Sequence, residues 1–152
     1  MVDMSATLLH HGHVRLLRKA SRLGRVVVGL TRDADVQAIK GYSPELRFAH
    51  RKEILMAIKY VDEVVPTPWT ITDRVLRRHK IDFLVHGDDN QNHVSPGNLK
   101  VFSRTTGIST SILRVRMLEN IAALNIEING AVASDELTRQ VIATIRDKFR
   151  MD

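Results

Sequence analysis

Residues 10–30, HHGHVRLLRKASRLGRVVVGL, read as a loop, a helix and a buried strand in immediate succession. His10-His11-Gly12-His13 opens the unit. Val14, Leu16, Leu17, Ala20 and Leu23 then recur at helical spacing, and Gly24 stands where a C-cap glycine ends a helix. Val26-Val27-Val28-Gly29-Leu30 is apolar throughout, which predicts a strand covered on both faces. A helix handing over to such a strand is part of a β–α–β repeat, and the rest of the chain continues the alternation. Val61 to Val65, Phe83 to His86 and Leu99 to Phe102 are further strand runs, and Met1 to Ser5 supplies a short first one. Ser43-Pro44-Glu45 predicts a helix start with Ser43 as N-cap and Pro44 at N1, burying Phe48, Ile54, Leu55 and Ile58. A shorter helix is predicted over about Thr72 to His79. The expected fold is α/β: a Rossmann-like, doubly wound, mostly parallel sheet with helices on both faces and ligands at the carboxyl ends of its strands.

The end of the chain differs in character. Ile112 to Leu124 reads as a helix and Asn125 to Val132 as a turn-rich stretch around Asn129-Gly130. Ser134-Asp135-Glu136 then caps a last amphipathic helix carrying Leu137, Val141, Ile142, Ile145 and Phe149. The expected division is a main domain over 1–124 and a helical appendage or linker over 125–152.

Composition narrows the partners. With 152 residues, 43% of them hydrophobic and 26% charged, the chain can bury a full core. It has no cysteine, which excludes disulfides and thiolate-bound metals. No apolar run approaches the roughly 20 residues of a membrane span, and Met1 to His13 lacks the order of a signal peptide. A cytoplasmic protein with no membrane partner is expected. The net charge of +6 calls for an anionic ligand, yet aromatics are only 5%, and bases alternate with acids in Arg51-Lys52-Glu53 and Lys59-Tyr60-Val61-Asp62-Glu63. That pattern favours a small polyanion over nucleic acid.

Two motifs supply the matching chemistry. His10 and His13 sit three apart where loop becomes helix, so both imidazoles can face one ligand, and Gly12 lets it approach the backbone. Arg104-Thr105-Thr106-Gly107-Ile108-Ser109-Thr110-Ser111 also runs into a helix, with Ser109 or Thr110 as its cap. Two helix starts dressed with imidazole, guanidinium and hydroxyls suit a polyphosphate. Gly87-Asp88-Asp89 follows a strand and reads as a ribose, base or Mg²⁺ site, or as a polar turn. Trp69, in Pro66-Thr67-Pro68-Trp69, either stacks on a ligand or plugs the core, in a stretch expected to be irregular. Lys40 and Arg51 flank the Ser43 helix. Arg74, Arg77, Arg78, His79 and Lys80 read as a solvated face, and His86 as a packed strand residue.

Over about residues 2–116 the chain resembles the cytidylyltransferase family that makes CDP-linked small molecules, including the glycerol-3-phosphate and ethanolamine-phosphate enzymes. The family's two signatures are H-x-G-H and R-T-x-G-I-S-T-[ST]; here they read His10/Gly12/His13 and Arg104 to Ser111. Arg51-Lys52, Tyr60-Val61-Asp62, Val65-Pro66 and Gly87-Asp88-Asp89 fall in family order between them. The resemblance implies a nucleotidyltransferase using CTP and Mg²⁺. It gives His10, His13, Lys40 and Arg104 catalytic roles. Ser5, Ala6, Gly12, Gly87, Asp88, Thr105, Gly107, Ile108, Ser109 and Thr110 would line the nucleotide with Arg104, Asp88 also holding the metal. Arg51, Trp69 and Asp89 would meet the acceptor.

There are departures. Met4-Ser5-Ala6-Thr7 stands where the family commonly has G-[TSC]-F-D, and Thr106 replaces a glutamate. Asp3-Met4-Ser5-Ala6 looks more like nucleotidyltransferase domains of phosphonate biosynthesis, often linked to a phosphoenolpyruvate mutase. With no acidic pocket for an ammonium visible in the sequence, the expected acceptor is a small phosphonate, 2-hydroxyethylphosphonate ahead of 2-aminoethylphosphonate, in a homodimeric enzyme. The alternatives are cytidylyl transfer to glycerol 3-phosphate or ethanolamine phosphate, adenylyl transfer, or a module that binds nucleotide or nucleic acid without turnover.

Overall fold

The computed structural model describes residues 1–123 and, beyond them, 127–128, 131–132 and the single positions Glu136, Gln140 and Ala143. The expected tail helix with Leu137, Val141, Ile142, Ile145 and Phe149 lies outside the described residues. Contacts divide the chain into two compact units, Met1–Thr106 and Gly107–Asp152.

The first unit is a five-stranded sheet in the order β3-β2-β1-β4-β5, built from β1 (Val2–Met4), β2 (Val27–Thr31), β3 (Glu63–Thr67), β4 (Leu84–Gly87) and β5 (Leu99–Phe102). Every pairing is parallel, with Val2 opposite both Val28 and Val85. The chain steps outward from β1 to β2 and β3, then returns to β1's other side for β4 and β5. That reversal opens a crevice at the carboxyl ends of β1 and β4, where doubly wound folds bind ligands. The apolar run of β2 is buried along its whole length, as strands covered on both faces must be.

Helices α1 (His11–Ala20), α2 (Asp33–Lys40), α3 (Phe48–Met56) and α4 (Asp73–Arg78) cross between the strands. Several expectations change here. Helix α1 stops at Ala20 with Ser21 as its C-cap, four residues short of Gly24, and leaves Leu23 exposed. The predicted start at Ser43-Pro44 is not helical; α3 begins at Phe48, with Arg47 as its N-cap residue. The cause is tertiary: the Asp33 carboxylate accepts the Phe48 N–H at 2.9 Å, so a side chain from outside the helix caps it. On α3, Leu55 is buried and Ile54 is exposed. The third strand lies two residues later than expected and includes Pro66 and Thr67. Proline is tolerated there because β3 is an edge strand.

In the second unit, α5 (Thr110–Ala123) follows Gly107, whose positive φ of 75° turns the chain into the helix. Short strands β6 (Glu127–Ile128) and β7 (Ala131–Val132) pair antiparallel.

Candidate active site

The loop after β1 ends in an interlocked pair of imidazoles. His10 is the N-cap of α1, and its Nδ1 accepts the Gly12 N–H at 3.2 Å. His13 answers from the first turn: its Nδ1 accepts the His10 N–H at 3.3 Å. This is a capping box built from histidines, and it fixes their chemistry. With both Nδ1 atoms accepting, each neutral ring carries its proton on Nε2. The rings lie 3.9 Å apart between centroids. Burial, then His10 and the Arg104 and Lys40 charges, pushes the His13 imidazolium down to about 3, and burial lowers His10 as well. The site therefore offers neutral N–H donors beside fixed cations.

Lys40, the last residue of α2, reaches back to donate to Ser5 Oγ at 3.1 Å. Its ammonium also lies 5.3 Å from the centre of the Trp69 ring. Beneath them is Arg51, whose side chain is completely buried. Its guanidinium donates to Leu46 O at 3.0 Å, to Thr31 O at 2.9 Å, to Ser5 O and to the Asp33 carboxylate. Arg51 was expected against the acceptor. The structure instead places it under the site, tying the ends of β1 and β2 to the starts of α2 and α3.

A cavity of about 320 Å³ opens at the β1–β4 crevice, with Asp3, Ser5, Lys40, Trp69, His86 and Asp89 among its walls. Asp3 was not foreseen as a site residue. It is 7% exposed, and its Oδ2 accepts from Asn92 Nδ2 at 2.9 Å. Its Oδ1 is buried with no hydrogen-bond partner among the described residues. Burial raises the Asp3 carboxyl to about 6, against the pull of Asn92 and His86. The signal was there: a lone acid in the otherwise apolar Met1-Val2-Asp3-Met4. Asn92 gave no such signal. It is held in place by Asn90 and by accepting the Ile71 N–H at 2.7 Å.

His86, on β4, faces this cavity between two carboxylates, with Nε2 3.8 Å from Asp3 and Nδ1 3.6 Å from Asp89. Asp89 in turn pairs with Arg104 at 3.0 Å. A side chain on Gly87 would press on the Asp89 carboxylate and crowd Arg104, so a larger residue there would shift this pair. Asp88 is exposed, and its Oδ2 lies 3.4 Å from the Arg104 N–H. Thus one unit gathers Ser5, Ala6, Gly12, His10, His13, Lys40, Trp69, Gly87, Asp88, Asp89, Arg104 and Thr105 around its strand ends. Ala6 lies there buried, with a positive φ of 43°. In the second unit, Ser109 Oγ caps its helix by accepting the Ile112 N–H at 3.1 Å. Thr110 begins that helix, with Gly107 and the buried Ile108 just before it.

Comparison with known proteins identifies the family. The cytidylyltransferase-like family model matches residues 6–101. The chain is 36% identical over 123 residues to ethanolamine-phosphate cytidylyltransferase of Mus musculus, covering 73% of this chain and 30% of that one. It is 35% identical over 127 residues to the probable choline-phosphate cytidylyltransferase of Schizosaccharomyces pombe, covering 74% and 35%. The chain thus spans about a third of the length of the curated relatives it matches. Among solved structures, the lipopolysaccharide core biosynthesis protein of Thermoplasma volcanium superposes with a TM-score of 0.59 at 19% identity, over 69% of this chain and 95% of that one, a likeness of fold. With its parallel sheet, its histidine-capped helix and a family match over most of the sheet, the chain belongs to the cytidylyltransferase-like family.

Proposed function

We propose that this domain transfers a cytidylyl group from CTP to a small amino-alcohol phosphate and releases pyrophosphate. An anionic oxygen of the acceptor phosphate attacks the α-phosphorus, and the bond from that phosphorus to the bridging oxygen of the pyrophosphate breaks. No general base is needed, because a phosphomonoester is largely dianionic above its second pKa of about 6. What the protein must supply is position and cancellation of charge between two anions. The Nε2–H groups of His10 and His13, Lys40 and Arg104 supply it here.

Mg²⁺ takes most of its ligands from phosphates and water and needs only one or two carboxylates. Among the described residues no group of three acids or histidines is placed to hold a metal ion by itself; Asp88, exposed after β4, is a donor of the kind a triphosphate-borne ion requires. Bound there, the ion would offset phosphate charge.

The observation that carries the choice of acceptor is the buried Asp3 carboxyl group in the wall of the cavity it shares with Trp69 and Lys40. A carboxylate buried in a cavity wall favours a cationic head, and an indole face adds to the attraction. The sequence favoured a hydroxylated phosphonate because no acidic pocket was visible; Asp3 supplies that pocket. The relatives named for ethanolamine and choline phosphate support the same direction. The test is pyrophosphate release with CTP or ATP against ethanolamine phosphate, choline phosphate, glycerol 3-phosphate, 2-aminoethylphosphonate and 2-hydroxyethylphosphonate. Turnover with CTP and an amino-alcohol phosphate supports the proposal. Preference for a phosphonate would restore the phosphonate-pathway reading with its mutase partner, and preference for glycerol 3-phosphate would remove the ammonium.

A further inference from the structure

We propose that Lys19 is a positioning residue for the reaction: it fastens the end of β5 to the last turn of α1 and so holds Arg104 at its distance from His10 and His13. The inference rests on the CTP reading and deepens it.

A lysine in the last turn of a helix is ordinary, since it offsets the negative end of the helix dipole. Where this ammonium goes is not ordinary. Lys19 Nζ donates to the Ser103 carbonyl oxygen at 3.3 Å, across 84 residues of sequence, and lies 5.5 Å from the centre of the Phe102 ring. Both contacts fall at the end of β5. That strand is an edge, paired in its sheet with β4, and the ladder closes on the Gly87–Phe102 pair. Ser103 and Arg104 lie beyond it and are exposed. Two carboxylates meet Arg104 there: Asp88 Oδ2 lies 3.4 Å from its N–H, and Asp89 Oδ2 lies 3.0 Å from its guanidinium. A triphosphate that claims the guanidinium loosens the second contact, and an ion on Asp88 weakens the first. The Ser103 carbonyl has no part in binding the nucleotide, so the Lys19 contact lasts while both of these change.

Arg104 also stands close enough to the imidazoles to act on them, since its charge is among the causes that lower His10 and His13. These three groups face one triphosphate in the proposed reaction, and their spacing decides how well they serve it. A single helix of ten residues carries His13 in its first turn and Lys19 in its last. The strap from Lys19 therefore references Arg104 to the same rigid body that holds the histidines.

The experiment is a double-mutant cycle on nucleotide binding. Calorimetry with Mg²⁺ compares CTP and inorganic tripolyphosphate on wild type, Lys19→Met, Lys19→Arg, Arg104→Met and Lys19→Met/Arg104→Met. Lys19 is only partly buried and methionine keeps its stem over Phe102, so the variants should fold. Lys19→Met should weaken CTP by roughly three- to tenfold, as expected for losing one hydrogen bond from a charged donor at a partly exposed position. Lys19→Arg keeps a donor and should recover most of that loss. In the Arg104→Met background Lys19→Met should cost less than about twofold, because the lysine acts through the arginine. An equal cost in both backgrounds means that the Lys19 charge acts on the triphosphate directly, and it overturns the inference. So does a Lys19→Met variant that binds like wild type, or a Lys19→Arg variant as weak as Lys19→Met. If wild type binds tripolyphosphate but not CTP, the CTP reading fails and the same cycle on tripolyphosphate still decides the inference. If it binds neither, both fall.

Discussion

Asp3→Asn should make the domain more stable near neutral pH and poorer at its reaction. The carboxylate is 7% exposed and one of its oxygens has no partner among the described residues. Titrating at about 6 instead of the ordinary 3.8, it costs roughly 3 kcal/mol of folding free energy to hold its charge at pH 7.5. An isosteric amide removes that cost and gives up about 1 kcal/mol of charge-assisted hydrogen bonding to Asn92. The net gain of about 1–2 kcal/mol corresponds to a rise of roughly 2–8 °C in Tm for a domain of this size. The pH dependence has a definite sign. Asp3's folded pKa is raised, so the folded state binds the proton more tightly than the unfolded chain. Wild-type stability from this group is fully present below 3.8 and is lost as pH rises through about 6. The variant's advantage should therefore be near zero at pH 4 and complete above pH 6.5. Against this gain, kcat/KM for ethanolamine phosphate should fall by roughly 10²-fold as the ammonium loses a buried anionic partner. Thermal unfolding across that pH range and initial rates at pH 7.5 measure both. An advantage that does not grow with pH refutes the electrostatic reasoning. Stabilisation with undiminished activity refutes Asp3 as the ammonium ligand.

Three further outcomes follow from the same geometry. Acceptor kcat/KM should fall below about pH 6 on a limb to which both the acceptor's second ionisation and Asp3 contribute, and Asp3→Asn should make that limb shallower by one proton; a pH–rate series on both proteins checks it. Because His13 is held neutral and acts as an N–H donor, His13→Asn should keep more turnover than His13→Ala, which should lose about 10²–10³-fold in kcat; equal losses would mean the imidazole is needed for something other than its N–H. Arg51→Met leaves the carbonyls of Leu46, Ser5 and Thr31 short of a donor and breaks a half-buried ion pair, so urea unfolding should show a loss of about 3–5 kcal/mol, whereas a loss below about 1 kcal/mol would remove Arg51 as the tie beneath the site.

What could be read from the sequence was what is local. The all-apolar run around Val28 announced a central strand, and the His10/Gly12/His13 spacing announced a helix start because the capping box is made within four residues. Helix α2 was overlooked although Asp33 and Asp35 in its first turn, Lys40 in its last and Gly41 after it are sound end signals. It buries only Val36, so it has no apolar stripe to reveal it. Ser43-Pro44 carried a good local cap signal that lost to a distant one, the Asp33 carboxylate on Phe48 N–H. Arg51 looked like a ligand-binding cation because nothing in its neighbourhood showed that four of its acceptors come from Ser5, Thr31, Asp33 and Leu46. The cavity behaves the same way: Asp3 and Asn92 meet across 89 residues of sequence.

These two kinds of residue do different work in the proposed reaction, and the division has a physical reason. The triphosphate is a large, constant anion, and cations with helix-start donors at fixed local spacing suffice to hold it. The acceptor is a zwitterion, and a zwitterion is oriented by opposite charges at its two ends. Lys40 is bound to Ser5 at the carboxyl end of β1, while Asp3 lies two positions earlier on the same extended segment, roughly 7 Å away along the chain. A phosphate drawn to Lys40 and an ammonium drawn to Asp3 therefore lie along β1, which turns the nucleophilic oxygen toward the cations that hold the nucleotide. An acceptor without the ammonium keeps only the first of these contacts. It should bind its phosphate in several orientations and lose more in kcat than in phosphate affinity, since a misplacement of about 1 Å can cost about 10²-fold in rate.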